Sequence, residues 1–378
     1  MKPLVLFSGG DEDADFLYAT RFAVEECLYI RFGEGDELLV ASPMEVGRAQ
    51  AEGRVGRILD WDQAGWQEAT YRPAAWAAVA ARQLEGRGIR SVRVSPRLAA
   101  GYLEELRAAG VEAEVDRELF RAERRRKSRE EASFVHAAQR AAEAACSEVV
   151  ARLAVAEVKD GLLWQDGRPL TSERLLSRAQ ATLAEIGYAN PDMIIAGSPG
   201  SAMPHYRGEG RIRAGAPVIV DTFPRGRTSH YHGDLTRTVV VGEISPDLKR
   251  MHETAVAALE AGIAQIKAGV NGRDVHLTVC RTLNEHGYGT ATRGFEGPPG
   301  AARMSHSTGH GVGLSVHEPP MLRDLDYPLQ EGDVVSVEPG LYLAGLGGVR
   351  VEDTGLVTPN GFQNFSTLTR SLDPRAYL

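Results

Sequence analysis

The feature that most constrains the fold is a short internal repeat in the C-terminal two-thirds of the chain. The segments ATLAEIGY (181–188) and RTLNEHGY (281–288) share Thr, Leu, Glu, Gly and Tyr at matching positions, 100 residues apart. Each ends a predicted helix and is followed by a histidine in a Gly- and Ser-rich stretch, His205 in the first copy and His306 in the second. An apolar strand that ends in a carboxylate follows in both copies. This shared order predicts two pseudo-symmetric α/β halves that face one another.

The two copies supply four carboxylates at strand ends. Asp221 ends the strand APVIVD and Asp234 opens GDLTRTVVVG, so these strands are predicted to pair as a hairpin. Glu338 ends GDVVSVE, and Glu352 lies 14 residues further on in GVRVEDTG. Ionised carboxylates at the ends of buried strands are costly unless they are paired or bind a cation. With the Gly-flanked His310 of HSTGHGVGLSVHE, they favour a divalent metal site with oxygen-rich ligands.

The N-terminal part of the chain has a different pattern and contains no histidine before His136. Strands are predicted at ECLYIRF, DELLVAS and GIRSVRVS, and helices at RPAAWAAVAARQLEGRG and SPRLAAGYLEELRAAG. This alternation predicts a smaller α/β domain at residues 1–126. The basic run RAERRRK (121–127) is interpreted as a solvated linker or a helix start. A capping box at Ser128 and Glu131 then opens the first helix of the second domain, residues 127–378.

Composition restricts the partners of the chain. Its 378 residues include 43 Lys and Arg against 51 Asp and Glu, and this net charge of −8 argues against a nucleic-acid binder with a broad basic surface. Cys27, Cys146 and Cys280 have no metal-like spacing and are expected to be buried or free thiols. No apolar run approaches the roughly 20 residues of a membrane span, and PLVLF is too short for a signal peptide. The composition therefore predicts a cytoplasmic protein without nucleic-acid or membrane partners.

A resemblance to a known family is carried by five segments, SAMPHY, GDLTRT, TGHGVGLSVHE, SVEPGLY and GVRVEDTG. They resemble the Xaa-Pro dipeptidase (prolidase) and Xaa-Pro aminopeptidase branch of the methionyl aminopeptidase-like, or pita-bread, superfamily. The resemblance covers about 250 residues, and DADFLYATRF resembles more weakly the start of that branch's N-terminal domain. It implies a C-terminal pita-bread metallopeptidase domain of two pseudo-symmetric α/β halves, preceded by a smaller α/β N-terminal domain, in a homodimer.

The same resemblance implies a centre of two divalent metal ions with five protein ligands. Asp221 would bind one ion, His310 and Glu338 would bind the other, and Asp234 and Glu352 would bridge both. Glu338 would also act as the proton shuttle for a water that bridges the two ions. The predominance of carboxylates favours Mn²⁺, while Co²⁺, Zn²⁺ and Fe²⁺ suit the same ligands.

Further residues resemble the family's substrate-facing groups. Three of them are histidines, His205, His306 and His317. They would donate hydrogen bonds to the oxyanion or protonate the leaving nitrogen, or else hold a metal ligand in position without contacting substrate. Arg350 resembles the family arginine near the metals, which orients a carboxylate ligand or contacts substrate. Arg323 is a candidate for binding a peptide carboxylate, with a surface ion pair as the alternative. The predicted catalytic residues are Glu338, His205, His306, His317 and Arg350, and the predicted substrate-binding residues are His205, His317, Arg323 and Arg350.

The other six histidines are expected to be bystanders. His136, His252, His276 and His286 lie on predicted helices, so we expect them at the surface or at helix caps. His230 and His232 lie in the loop of the predicted hairpin, and neither is expected to be a ligand.

These features predict a metallo-exopeptidase that hydrolyses the bond before proline in short peptides, with Xaa-Pro dipeptides favoured. The close alternative is an Xaa-Pro aminopeptidase acting on longer peptides. A methionyl aminopeptidase is disfavoured, because it would not need an N-terminal domain of about 120 residues. A metal-free creatinase-like hydrolase and a non-catalytic peptide-binding module remain as alternatives from other classes. Both should lack some of the five ligands, and all five are present.

Overall fold

The computed structural model describes residues 2–10, 13–67 and 69–378. The chain divides into two compact units, Met1–Arg124 and Arg125–Leu378. The division therefore lies two residues before the domain boundary taken from the sequence. Within the described ranges, every helix is too short or too polar to cross a membrane.

The first unit is a six-stranded sheet with helices on both faces. Its elements are β1 (Leu4–Phe7), α1 (Ala14–Thr20), β2 (Leu28–Gly33), β3 (Asp36–Ala41), α2 (Val46–Glu52), β4 (Ile58–Asp60), α3 (Arg72–Glu85), β5 (Ser91–Val94), α4 (Ala100–Ala108), β6 (Glu112–Val115) and, at the unit boundary, α5 (Arg121–Arg125). The strand order is β4-β3-β2-β1-β5-β6, with β2 antiparallel to both of its neighbours and the other pairs parallel. Because side chains alternate along strands, one face packs Trp76 of α3 and the other packs Phe16 of α1.

The second unit is larger, and its helices pack in pairs around several sheets. Its elements are α6 (Arg129–Ala154), β7 (Glu157–Lys159), β8 (Leu162–Gln165), β9 (Arg168–Pro169), α7 (Ser172–Glu185), β10 (Tyr188–Ala189), β11 (Ile194–Gly197), β12 (Pro217–Thr222), β13 (Arg225–Gly226), β14 (Leu235–Val240), α8 (Pro246–Gln265), α9 (Gly272–Glu285), β15 (Gly289–Thr290), β16 (Arg303–Met304), β17 (Gly309–Gly311), β18 (Glu318–Leu322), β19 (Val334–Val337), β20 (Gly340–Leu343), β21 (Gly347–Arg350), β22 (Asp353–Thr358) and β23 (Gly361–Asn364). The three largest sheets have the orders β11-β12-β14, β15-β16-β20-β21 and β18-β17-β19-β22-β23.

Two similar halves make up the second unit, as the internal repeat predicts. Helices α7 and α9 lie 100 residues apart, and they pack against α6 and α8 respectively. In the first half β12 and β14 form the antiparallel pair expected from the sequence, and in the second half β19 and β22 pair in the same way. Each half has an apolar core of its own, with Leu175 and Val220 in one and Val279 and Val337 in the other. The α/β architecture of two pseudo-symmetric halves is therefore confirmed.

The basic run at 121–127 is partly helical, as one interpretation expected, but two of its side chains are not solvated. Nε of Arg125 lies 2.6 Å from Oδ1 of Asp333, and Nζ of Lys127 lies 2.7 Å from Oε1 of Glu318. All four side chains are at least nine-tenths buried. Burial of a cation is costly without an opposite charge, so each pair is a fixed part of the fold. The predicted capping box at Ser128 follows directly and opens α6.

The expectation of peripheral helix histidines is wrong for two of the four. His252 and His276 are buried, because they lie on the faces of α8 and α9 that pack into the core. Nδ1 of His276 is 2.8 Å from the hydroxyl of Thr308. His136 and His286 are exposed, and His286 is the C-cap of α9. The three cysteines are buried and free, as expected.

Candidate metal centre

A cavity of about 480 Å³ lies within the second unit, where the ends of the strand pairs β12–β14 and β19–β22 meet. It brings together nine of the ten predicted site residues: Asp221, Asp234, His310, Glu338, Glu352, His205, His306, His317 and Arg350. The tenth, Arg323, does not line the cavity.

Two antiparallel strand pairs, β12–β14 and β19–β22, carry the four acids. Asp221 lies in β12, and Asp234 directly precedes β14, which is the antiparallel partner of β12. Glu338 directly follows β19, and Glu352 directly precedes β22, the partner of β19. Because paired strands run in opposite directions, the end of one strand lies beside the start of the other. Each half therefore places two carboxylates side by side at its end of the cavity.

His310 presents a neutral ring nitrogen to these acids. Its Nδ1 donates to the carbonyl oxygen of Gly311 at 3.2 Å, which leaves the lone pair of Nε2 directed at the carboxylates. Nε2 lies 3.6 Å from Oδ2 of Asp234 and 3.5 Å from Oε1 of Glu338. Burial, with a contribution from nearby His317, lowers the pKa of His310 to about 3, so the ring is neutral near pH 7. Three acceptor atoms thus face one another, an arrangement that a cation stabilises.

The acids disturb one another's ionisation strongly. Burial raises the pKa of Asp234 and of Glu352 well above the usual range, and the neighbouring carboxylates raise both further. Burial also raises the pKa of Glu338 to about 8, although the charge of Arg350 opposes this shift. Without a bound cation these groups cannot all be ionised near neutral pH, and a divalent ion reverses that preference.

Glu352 contributes an oxygen that is available for a ligand. Its Oε2 accepts a hydrogen bond from the Thr236 hydroxyl at 2.8 Å. Its Oε1 is buried and has no hydrogen-bond partner in the described part of the chain. One ligand atom from each of Asp234, His310 and Glu352 lies within 4.8 Å of the others. Unpaired carboxylate oxygen and a neutral imidazole nitrogen are the donor set of a hard or borderline divalent metal.

A buried arginine, Arg350, connects the acids to His306 on the wall of the cavity. Nη2 of Arg350 donates to Oδ2 of Asp221 at 2.5 Å, and Nη1 donates to the Tyr342 hydroxyl at 2.8 Å. That hydroxyl donates to Nε2 of His306 at 2.9 Å, while Nδ1 of His306 donates to the carbonyl oxygen of Ser307 at 2.8 Å. Burial, together with the charge of Arg350, lowers the pKa of His306 to about 4. His306 is therefore neutral and held in one tautomer.

Sequence reasoning missed Tyr342 and Thr236, although strand alternation carries a signal for both. Gly340 pairs with Arg350 and Tyr342 pairs with Gly348, so the tyrosine and the arginine share one face of the β20–β21 hairpin. A Cβ at Gly348 would lie 2.6 Å from the tyrosine ring, so glycine is needed there. Thr236 stands two residues after a predicted ligand, and the same alternation places it beside the centre.

The outer wall of the cavity carries exposed polar groups. His205 and His317 are exposed, and the His317 ring centroid lies 4.2 Å from that of His310. Asp192 and Arg207, which the sequence did not single out, both line the cavity, with Oδ1 and Nη1 2.7 Å apart.

Arg323 is the predicted site residue that the structure places elsewhere. Strand β18 ends at Leu322, so the alternation that turns Met321 towards the cavity does not continue to Arg323, which is exposed in the following turn. Among the described residues, the exposed arginine that lines the cavity is Arg207.

Fold and site place the chain among proteins that hold divalent metal ions between two similar α/β halves. Residues 102–359 match the model of metallopeptidase family M24, and the chain belongs to that family. Membership implies divalent metal ions at this site.

Named relatives agree with this assignment. The chain is 31% identical over 291 residues to an Xaa-Pro dipeptidase from Pyrococcus horikoshii, with 75% of each chain covered. A solved prolidase structure from the same organism matches with a TM-score of 0.80 at 25% identity, covering 98% of this chain and 95% of that one. An X-Pro aminopeptidase structure from Thermotoga maritima has the same TM-score at 22% identity, covering 97% and 96%. The resemblance to this branch of the superfamily is therefore confirmed.

Proposed function

We propose that the chain is a metal-dependent hydrolase that cleaves Xaa-Pro dipeptides. The observation that carries the proposal is the convergence of four carboxylates and the free Nε2 of His310 at the end of one cavity. The unpaired buried Oε1 of Glu352 supports it, because such an oxygen is costly unless it binds a cation. The relative from Pyrococcus horikoshii, named an Xaa-Pro dipeptidase, supports the substrate class.

The proposed cofactor is a pair of divalent ions, with Mn²⁺ favoured by the predominance of carboxylates. Five side chains would hold the pair: Asp221, Asp234, His310, Glu338 and Glu352. When bound, two such ions polarise a substrate carbonyl and lower the pKa of water. Arg350 orients Asp221 through its 2.5 Å hydrogen bond and supplies a fixed positive charge beside the acids.

We assign the movement of protons to Glu338. Its Oε1 lies 3.5 Å from Nε2 of His310, and its Oε2 lies 4.0 Å from Nδ1 of His306. The carboxylate therefore lies between a proposed metal ligand and His306. A proline nitrogen has no hydrogen in the peptide bond and must gain a proton before it leaves as an amine. Glu338 would take a proton from water and return it to that nitrogen, while His205 and His317 would donate hydrogen bonds to substrate. Both ring nitrogens of His306 are engaged, with Ser307 and Tyr342, so His306 would position its neighbours instead.

The ends of a dipeptide are charged, and the cavity offers groups of both signs. Arg207 carries the guanidinium fork that suits a terminal carboxylate. Asp192, 2.7 Å from it, supplies the negative charge that suits an α-ammonium group. Both side chains are more than half exposed, so they can separate from one another to bind substrate. This arrangement favours a dipeptide over a longer chain.

The second candidate function is that of an Xaa-Pro aminopeptidase. The Thermotoga maritima structure shares the fold, so fold alone does not separate the two activities. The metal-free hydrolase and the non-catalytic module are disfavoured, because every predicted ligand is present and lines the cavity. The cytoplasmic location, the homodimer and the domain boundary stay predictions.

The deciding experiment compares hydrolysis of Xaa-Pro and Xaa-Pro-Yaa peptides by purified protein, with Mn²⁺ and after chelation. We expect Mn²⁺-dependent hydrolysis with a clear preference for the dipeptide. Replacement of a bridging ligand, Asp234→Ala, should abolish activity, since the loss of one acid removes the two-metal geometry. A preference for the tripeptide would establish the aminopeptidase instead. Absence of metal-dependent hydrolysis on either peptide would refute the proposal, and activity in the variant would refute the ligand assignment.

A further inference from the structure

A buried ion pair adjoins the cavity but is not part of the proposed ligand or substrate-binding sets. Nζ of Lys127 lies 2.7 Å from Oε1 of Glu318, and the two side chains are only 1% and 4% exposed. The backbone N–H of Lys127 also donates to the carbonyl oxygen of Gly332 at 2.9 Å, and this hydrogen bond holds the backbone of Lys127 in position. Lysine buried to this degree stays charged only beside an opposite charge. The ammonium and the carboxylate therefore hold each other in place.

Glu318 in turn occupies the inside of the loop that joins β17 to β18, residues 312–317. The N–H of Ser315 points to Oε2 of Glu318 at 3.4 Å. Gly313 leaves room for the carboxylate, since a Cβ there would overlap Oε1. Two residues of this loop, Val316 and His317, line the cavity. The position of one buried carboxylate thus sets the shape of a cavity-forming loop.

We propose that Lys127 is a positioning residue for His317, acting through Glu318 and the 312–317 loop. The His317 ring packs against the ring of His310, with centroids 4.2 Å apart, and this contact requires the backbone of the loop to stay in place. Without the ammonium, the buried carboxylate loses the cation that lies 2.7 Å from its Oε1, and its hold on the loop weakens. The inference rests on the proposed function in that His317 faces the substrate.

The chain offers a matched control two residues earlier. Arg125 forms a second buried ion pair, with Asp333, at 2.6 Å between Nε and Oδ1. Its side chain is 10% exposed and that of Asp333 is fully buried. Neither residue belongs to the 312–317 loop or lines the cavity. Replacement of Arg125 by Met therefore removes a buried cation near the same helix start without disturbing the hold on His317.

The test is a double-mutant cycle on the Mn²⁺-loaded full chain. Lys127→Met and His317→Ala are each expected to lower kcat/KM on an Xaa-Pro dipeptide by about tenfold or more, the scale of a misplaced catalytic contact. The double variant should fall within about twofold of His317→Ala alone, because coupled residues are not additive. Arg125→Met should combine additively with His317→Ala. Additive behaviour of Lys127→Met, or unchanged kcat/KM, would overturn the proposal.

Removing the partner charge provides a rescue. Glu318→Gln keeps a hydrogen-bond acceptor in the loop and needs no cation, so adding it to Lys127→Met should recover at least about fivefold in kcat/KM. If Lys127→Met does not fold alone, the test uses this paired variant, in which His317→Ala should lower kcat/KM by the same factor as in the wild type. Failure to recover activity, or a much smaller loss on His317→Ala in the paired variant than in the wild type, contradicts the proposed route through Glu318.

Amide hydrogen exchange separates this proposal from the proposed function. In Lys127→Met, residues 312–317 should exchange faster than in the wild type and in Arg125→Met. If the wild type hydrolyses no Xaa-Pro peptide, the proposed function fails and exchange alone decides the positioning role. Unchanged exchange in the loop would refute that role whether or not the wild type is active.

Discussion

The crowded carboxylates allow a quantitative prediction for protein stripped of metal by a chelator. Burial raises the pKa of Glu338 to about 8 in the folded chain, from an ordinary value of 4.5. Between these values the folded state holds a proton that the unfolded state has lost, so this group stabilises the fold at low pH. The contribution is lost as the pH rises through 8. Integrated from pH 6 to pH 8, the loss amounts to about 2 kcal/mol.

The assay is urea denaturation of the wild type and of Glu338→Gln in chelator at pH 6, 7 and 8. Glutamine stays neutral, so the variant should gain about 2 kcal/mol relative to the wild type across this range. Taking the difference removes the contribution of the buried histidines, which titrate in both proteins. With saturating Mn²⁺ the pH-dependent gain should disappear, because a cation keeps the carboxylate ionised. A wild-type-to-variant difference that does not change with pH in chelator would refute the reasoning.

Two further predictions concern the second layer of the site and the substrate carboxylate. Thr236→Val keeps the shape but removes the donor to Glu352, so Mn²⁺ affinity measured by calorimetry should fall about 10- to 100-fold. Thr238→Val, two residues on in the same strand, removes hydrogen bonds to the backbone of Arg350 and none to a proposed ligand, so it should lower the affinity less. Equal losses in both variants would argue for a general packing effect. Arg207→Leu should raise KM for an Xaa-Pro dipeptide about tenfold and leave the KM of the Xaa-Pro amide unaltered, since the amide lacks the carboxylate. Arg323→Leu should change KM for neither substrate. A larger rise in the dipeptide KM for Arg323→Leu than for Arg207→Leu would restore the sequence-based assignment.

Much of the fold was predictable because its signals are local and repeated. The matching segments that end at Tyr188 and Tyr288 place α7 and α9 in equivalent positions. Apolar strands that end in Asp221 and Glu338 indicate one acid-bearing strand in each half. A carboxylate that terminates a buried strand is conspicuous in a sequence, because its burial needs a cation. For this reason the amino-acid sequence alone is enough to select the four acids that line the cavity.

The features that escaped prediction depend on long-range packing. Tyr342 is a common strand residue, and only its pairing across from Gly348 shows that it faces the buried arginine. The partner of Lys127 lies 191 residues away, so a basic run on its own looks like a solvated segment. His276 was expected at the surface because a helical pattern alone does not show that its face packs against Thr308.

The division of the ligands between two separately packed halves has a consequence for how the chain matures. Asp221 and its partner Arg350 are separated by 129 residues, and Thr236 and Glu352 by 116, so the centre is formed by contacts between residues far apart in the sequence. Contacts of this kind form late in folding, because they carry a large loop-closure cost. A half that has folded alone offers too few ligands to retain a divalent ion. Binding of the ions therefore requires both halves of the unit to be folded and packed together.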